Sequence, residues 1–161
     1  MNHPQIKITV KGFGTMTAEL YPEMAPITVA NFLKLAKESF FDGLIFHRVI
    51  RGFMLQGGGY NEQMEEKRTD AIRGEFAANG FKQNTLKHTR GVLSMARAFD
   101  PNSASSQFFI MHADAPHLDG SYAAFGKVVS GIEVVDEIAA IPTDYSDRPK
   151  IAVRIKKAYI V

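Results

Sequence analysis

Nearly every apolar run in this chain is short, and nearly every gap between runs holds Gly, Pro, Asn or Asp. Short alternating runs punctuated in this way favour a sheet closed on itself or a sandwich over layered helices. Ile6, Ile8 and Val10 alternate with polar residues, Gly12-Phe13-Gly14 interrupts, and Met16, Ala18 and Leu20 resume the alternation. Two period-two runs around a Gly-containing loop predict a β-hairpin. Further strand-like runs cover 44–50, 53–56, 91–96, 107–111 and 123–129. Helical spacing occurs twice. Pro26 suits a first turn, with Val29, Phe32, Leu33 and Ala36 at i, i+3, i+4 and i+7, and a turn follows at Phe41-Asp42-Gly43. A second helix is predicted over 132–140, with Ile132, Val135 and Ala139 on one side. In the last strand Ile151, Val153 and Ile155 share a phase that Ala158 and Ile160 reverse, which predicts a β-bulge near Lys156-Lys157. Many strands with two widely separated helices argue against a parallel α/β fold.

At 161 residues the chain suits a single domain, 1–161, and 45% hydrophobic content is enough for a core without staples. No cysteine is present, so disulfides, thiolate nucleophiles and Cys-based zinc sites are excluded. A net charge of +2 lacks the strongly basic signature of a nucleic-acid binder. The first residues lack a signal peptide's basic region and apolar run, and no apolar stretch approaches the ~18 residues that cross a bilayer. The expectation is a soluble, cytoplasmic protein with no membrane partner. Asn61 to Arg73, with four acids and three bases, is expected to be a solvated excursion. Twelve phenylalanines without a tryptophan predict an aromatic core, an aromatic-lined groove, or both.

Several familiar chemistries can be set aside. His3, His47 and His88 are scattered, and His112 and His117 have no metal-ligand spacing, so no metal site is expected. No Gly-x-Ser-x-Gly elbow occurs. Gly57-Gly58-Gly59 lacks the Gly-Lys-Ser/Thr ending of a phosphate loop and suits a tight turn or a close backbone approach. One stretch is harder to dismiss, Phe46-His47-Arg48-Val49-Ile50-Arg51-Gly52-Phe53-Met54-Leu55-Gln56. Strand alternation puts Arg48 on the face of Phe46 and Ile50. Arg48 is then either an edge residue whose stem covers core or a guanidinium at the rim of an apolar groove. Alternation leaves both open. Ser94-Met95-Ala96-Arg97-Ala98 and Ser106-Gln107-Phe108-Phe109-Ile110 have a similar character, a small-residue strand beside one with an amide and two aromatics.

These stretches, with Gly91-Val92-Leu93, Leu118-Asp119-Gly120 and Phe125-Gly126-Lys127-Val128, resemble the cyclophilins, the cyclosporin-binding class of peptidyl-prolyl cis-trans isomerases, in family order along the chain. The resemblance implies a mainly β fold, a closed eight-stranded antiparallel barrel capped by two helices. It implies catalysis of X-Pro rotation without cofactor or metal, with Arg48 as donor to the prolyl nitrogen and Gln56 orienting it. It implies a proline pocket of Phe53, Met54, Phe109 and Leu118, and a groove wall of Ala96, Arg97, Ala98 and Gln107. His117 and Tyr122 belong to the same site. His117 stands where many members carry tryptophan, Tyr122 where a histidine is common, and the loop after Ala98 is one residue longer. The expected partners are proline-containing peptides and folding protein clients, bound by a monomer, with cyclosporin bound weakly because of His117. A non-catalytic proline-peptide module or chaperone on the same scaffold is the alternative. Two dispositions of Arg97 are open: leaning along the groove toward substrate, or paired with Asp100.

Overall fold

The computed structural model describes residues 3–161. The elements run β1 (Gln5–Val10), β2 (Gly14–Leu20), α1 (Pro26–Lys37), β3 (Arg48–Ile50), β4 (Met54–Gly57), β5 (Val92–Met95), β6 (Phe108–Met111), β7 (Ala124–Ser130), α2 (Ile132–Ala139) and β8 (Ile155–Ile160). The eight strands form one curled antiparallel sheet in the order β3-β4-β6-β5-β7-β2-β1-β8. Its first and last strands share no ladder. Between them Phe46 N–H donates to Val153 O (2.9 Å), Gly43 N–H to Ile155 O and Ile155 N–H to Leu44 O (both 2.8 Å), and Ile45 bridges Arg154.

That seam explains why the run expected at 44–50 yields a strand of only three residues. Residues 44 to 46 leave the β3–β4 ladder to bond with 153 to 155. Phe46 therefore joins the main core while Ile50 packs in a second cluster, so Ile50 shares a face with Arg48 as alternation predicts and Phe46 does not. The predicted hairpin forms, with Ile8 opposite Met16. The predicted bulge also forms. Thr9 faces Lys157 and Val10 faces Ile155, which leaves Lys156 as the extra residue. Ile151, expected in that strand, lies outside it and is 84% exposed. In α2 the buried face is Val134, Val135, Ile138 and Ala139, and Ile132 is only partly buried.

The main core fills the concave side of the sheet, with Phe32 of α1 packed among Phe41, Phe108 and Phe125. Helix α1 buries Val29, Phe32, Leu35 and Ala36, while Leu33 packs at the margin. Ala25 offers no side-chain cap to this helix. The buried Glu75 substitutes, accepting from Ile27 N–H (3.1 Å), Thr28 N–H (2.7 Å) and the Thr28 hydroxyl (2.7 Å). A carboxylate at a helix N-terminus satisfies orphan donors and complements the helix dipole. Among the described residues no helix is long and apolar enough to cross a membrane.

Candidate active site

Register builds the site. Arg48 lies opposite Gln56, Gln56 opposite Phe109, and Phe109 opposite Ser94, one row across β3, β4, β6 and β5. A second row carries Ile50, Met54 and Met111. Alternate residues Val49, Leu55, Leu93, Phe108 and Ile110 face the main core. The site rows therefore lie on the opposite face of the sheet, where Met54, Val92, Phe109, Met111, Leu118 and Ala124 form a separate apolar cluster flanked by Phe53, Ala96 and Tyr122.

Above this cluster opens a cavity of about 140 Å³ lined by Arg48, Phe53, Met54, Gln56, Ala96, Arg97, Phe109, Leu118 and Tyr122. It is smaller than the ~300 Å³ at which pockets begin to hold drug-sized ligands, and suits a small apolar ring. Every lining residue is among those singled out in the sequence. Gln107 and Ala98 line an adjoining cavity of about 330 Å³ instead, which shares Gln56, Ala96 and Arg97 with the first. His117 lies outside both linings, exposed at the rim with its ring 5.8 Å from that of Phe53.

The polar groups form a line across the rim. Arg48 donates from one terminal nitrogen to Gln56 Oε1 (3.3 Å), and Gln56 Nε2 donates to Gln107 Oε1 (3.1 Å). Arg48 is exposed, so most of its donors remain free for a ligand. Burial, followed by the neighbouring Arg48 charge, pushes His47 down to about 4. It is neutral near pH 7 and adds no second cation beside Arg48. Glycines allow the close packing behind the amides: a Cβ on Gly59 would lie 2.4 Å from Gln107 Cγ, and one on Gly57 2.6 Å from Ile45 O.

Arg97 lines both cavities, but its guanidinium is tied to backbone carbonyls and does not pair with Asp100. Its Nε (3.2 Å) and one terminal nitrogen (2.7 Å) donate to Ser121 O, and the other terminal nitrogen to Ala98 O (3.0 Å) and Phe99 O (3.3 Å). The guanidinium carbon lies 4.9 Å from the ring centre of Phe76 and 4.7 Å from that of Tyr122. Asp100 instead accepts from Asn102 N–H within its own turn. Arg97 thus ties the Ala98–Phe99 loop to Ser121 and braces Tyr122, whose ring meets Phe109 edge-on at 5.8 Å.

Beneath Phe109 lies a group that sequence reasoning missed. His88, 1% exposed, stacks at 6.0 Å on Phe109. Its Nδ1 is 3.0 Å from Asp119 Oδ1 and its Nε2 2.8 Å from Ser94 Oγ, while its backbone N–H donates to Asp119 (2.6 Å). The residue types match a hydrolytic triad, but Ser94 is 0% exposed, so no substrate reaches its hydroxyl. Burial lowers the His88 pKa despite Asp119. Burial would raise Asp119, but hydrogen bonds from His88 outweigh it and hold the carboxyl below its ordinary value. No spacing signals this contact, because 31 residues separate its partners.

The model for "Cyclophilin type peptidyl-prolyl cis-trans isomerase/CLD" matches residues 5–160. The chain belongs to the cyclophilin family. A peptidyl-prolyl cis-trans isomerase of Acinetobacter baylyi is 46% identical over 151 residues, covering 88% of this chain and 78% of that protein. Peptidyl-prolyl cis-trans isomerase B of Escherichia coli is 41% identical over 160 residues, covering 91% and 94%. A Cryptosporidium parvum cyclophilin type isomerase, solved in the presence of the dipeptide Ala-Pro, superposes with a TM-score of 0.82 at 31% identity over 98% of each chain. This cyclophilin therefore carries its polar line of Arg48, Gln56 and Gln107 beside an apolar pocket on the outer face of the family's curled sheet.

Proposed function

We propose that this cyclophilin accelerates cis-trans rotation about X-Pro bonds in peptides and folding protein clients, with Arg48 as the group that stabilises the transition state. The uncatalysed rotation is slow because amide resonance sets a barrier near ~20 kcal/mol. At the twisted geometry the prolyl nitrogen loses conjugation and becomes a better hydrogen-bond acceptor. A fixed cationic donor there favours the twisted state over both planar ones, so no covalent step is needed. The observation that carries this reading is the placement of Arg48. Its guanidinium is held by Gln56 at the rim of an apolar pocket floored by Met54 and Phe109.

In this reading the proline ring enters between Phe53, Met54, Phe109 and Leu118, and Gln107 and Ala96 align the adjoining peptide backbone. His117, at the rim over Phe53, offers less apolar area than an indole, so cyclosporin binds weakly. The test is a protease-coupled or NMR-exchange assay on a short X-Pro peptide. Acceleration is expected. A well-folded protein that binds the peptide without accelerating rotation would favour a non-catalytic proline-peptide module.

A further inference from the structure

Phe53 reaches the pocket from the turn Arg51–Gly52–Phe53, which joins β3 to β4 and turns at Gly52 with φ +80°. A residue from beyond the end of β6 grips that turn twice. His112 N–H donates to Phe53 O (2.9 Å), and Gly52 N–H donates to His112 Nδ1 (2.8 Å). The other ring nitrogen, Nε2, lies 3.1 Å from Asp136 Oδ1 on α2. Arg90 completes the set. Its terminal nitrogens each bond one oxygen of Asp136 at 2.7 Å, and one also donates to His112 O at 3.0 Å.

The tautomer follows from the partners. A backbone N–H can only donate, so Nδ1 must carry the lone pair and the proton must sit on Nε2, facing the carboxylate. Hydrogen bonding from Arg90 keeps Asp136 below its ordinary pKa, so this acceptor stays anionic. The charged groups around the ring are Asp136 from α2 and Arg90 from the segment before β5, whose backbone N–H is held by Asp114. From the β3–β4 turn only a backbone amide meets Nδ1, and Arg51 beside it is exposed.

We propose that His112 is a positioning residue for the isomerase reaction, holding Phe53 against the proline pocket through the Gly52 amide, with Asp136 fixing the ring tautomer that makes this possible. This rests on the function proposed above. Protonating Nδ1 would set one N–H against another, abolish the bond to Gly52 and strengthen the bond to Asp136. The ring would then stay anchored to α2 while the turn loses its acceptor. Substrate affinity should weaken by roughly three- to ten-fold, the scale of one neutral hydrogen bond.

The test pairs NMR with kinetics on the full chain. In the wild type the ring nitrogens of His112 and the Gly52 amide are followed across pH. The expected result is the Nε2–H tautomer at high pH and a Gly52 amide proton that shifts in step with His112 protonation. His112→Asn keeps an acceptor near the Nδ1 position, and His112→Gln keeps polar reach only toward Asp136. The Asn variant should hold KM for an X-Pro peptide within about twofold, and the Gln variant should raise it roughly three- to ten-fold with kcat little changed. A Gly52 amide indifferent to His112 protonation, or equal KM in the two variants, would overturn the proposal. The amide measurement needs no turnover, so it remains decisive if the variants misfold and is separate from any failure of the proposed activity.

Discussion

Replacing Arg97 probes how the groove wall is held. Its guanidinium lies against two aromatic rings and donates to three backbone carbonyls. Cation–π contacts at partly exposed sites contribute about 0.5–1 kcal/mol each, and hydrogen bonds about 1 kcal/mol each after exchange with water. Water can replace the exposed bonds to Ala98 and Phe99, so the two rings and the part-buried bonds to Ser121 dominate, and Arg97→Ala should destabilise the protein by about 3 kcal/mol. At roughly 2–4 °C per kcal/mol for a chain of this size, the thermal midpoint should fall by about 6–12 °C. Arg97→Lys should fall about half as far, because an ammonium cannot serve all three carbonyls from between two rings. Loosening Tyr122 should raise KM a few-fold and leave kcat within about twofold. Because its donors are taken up by the Ser121, Ala98 and Phe99 carbonyls, peptides with Glu or Lys two residues before the X-Pro bond should react equally fast at low salt. The assays are thermal denaturation and steady-state kinetics on matched peptides. A midpoint within about 2 °C of wild type, or a Glu preference erased by salt and by Arg97→Ala, would refute this account of the residue.

Glu75→Ala, which strips three donors at the start of α1 of their acceptor, should cost about 2–4 kcal/mol in urea denaturation, and Glu75→Gln less; a loss under ~1 kcal/mol would mean water replaces the cap. His47 (to about 4) and His88 are pushed down in the fold, so the unfolded chain binds more protons below the ordinary pKa of 6.5. Stability should be full above pH 6.5 and fall as pH drops from 6.5 toward 4, and His47→Phe should flatten that decline in thermal midpoints measured across the window. His117→Trp should tighten cyclosporin binding in titration calorimetry by widening the apolar rim over Phe53; an unchanged affinity would place the cause elsewhere.

The hairpin and the bulge at Lys156 were legible because one buried face enforces alternation, and any slip must appear as a phase change. The length of strand β3 was not, because Leu44 O and Phe46 N–H bond across the seam to Ile155 and Val153, partners that local pattern cannot reveal. Ile151 is apolar and in phase yet exposed for the same kind of reason: the segment carrying it runs outside any ladder. The pocket lining was legible through motif resemblance, since period-two alternation left Arg48 between two readings. What supports the pocket was not. Glu75 reaches α1 across 47 residues, and Asp119 reaches His88 across 31, both from loops whose meeting depends on the finished sheet. Arg97 could be placed on the groove wall, but its direction is set by Phe76 and Ser121, which no spacing connects to it.

The central claim is that Arg48 stabilises the twisted amide, and the most direct test is kcat/KM for an X-Pro peptide in Arg48→Ala and Arg48→Lys. Loss of one transition-state donor predicts a fall of roughly 10²–10³-fold for Ala. Lys should also be poor, because it lacks the planar fork. Since Arg48 is exposed, the thermal midpoint should stay close to wild type. Turnover near the wild-type rate in a folded Arg48→Ala protein would contradict the account.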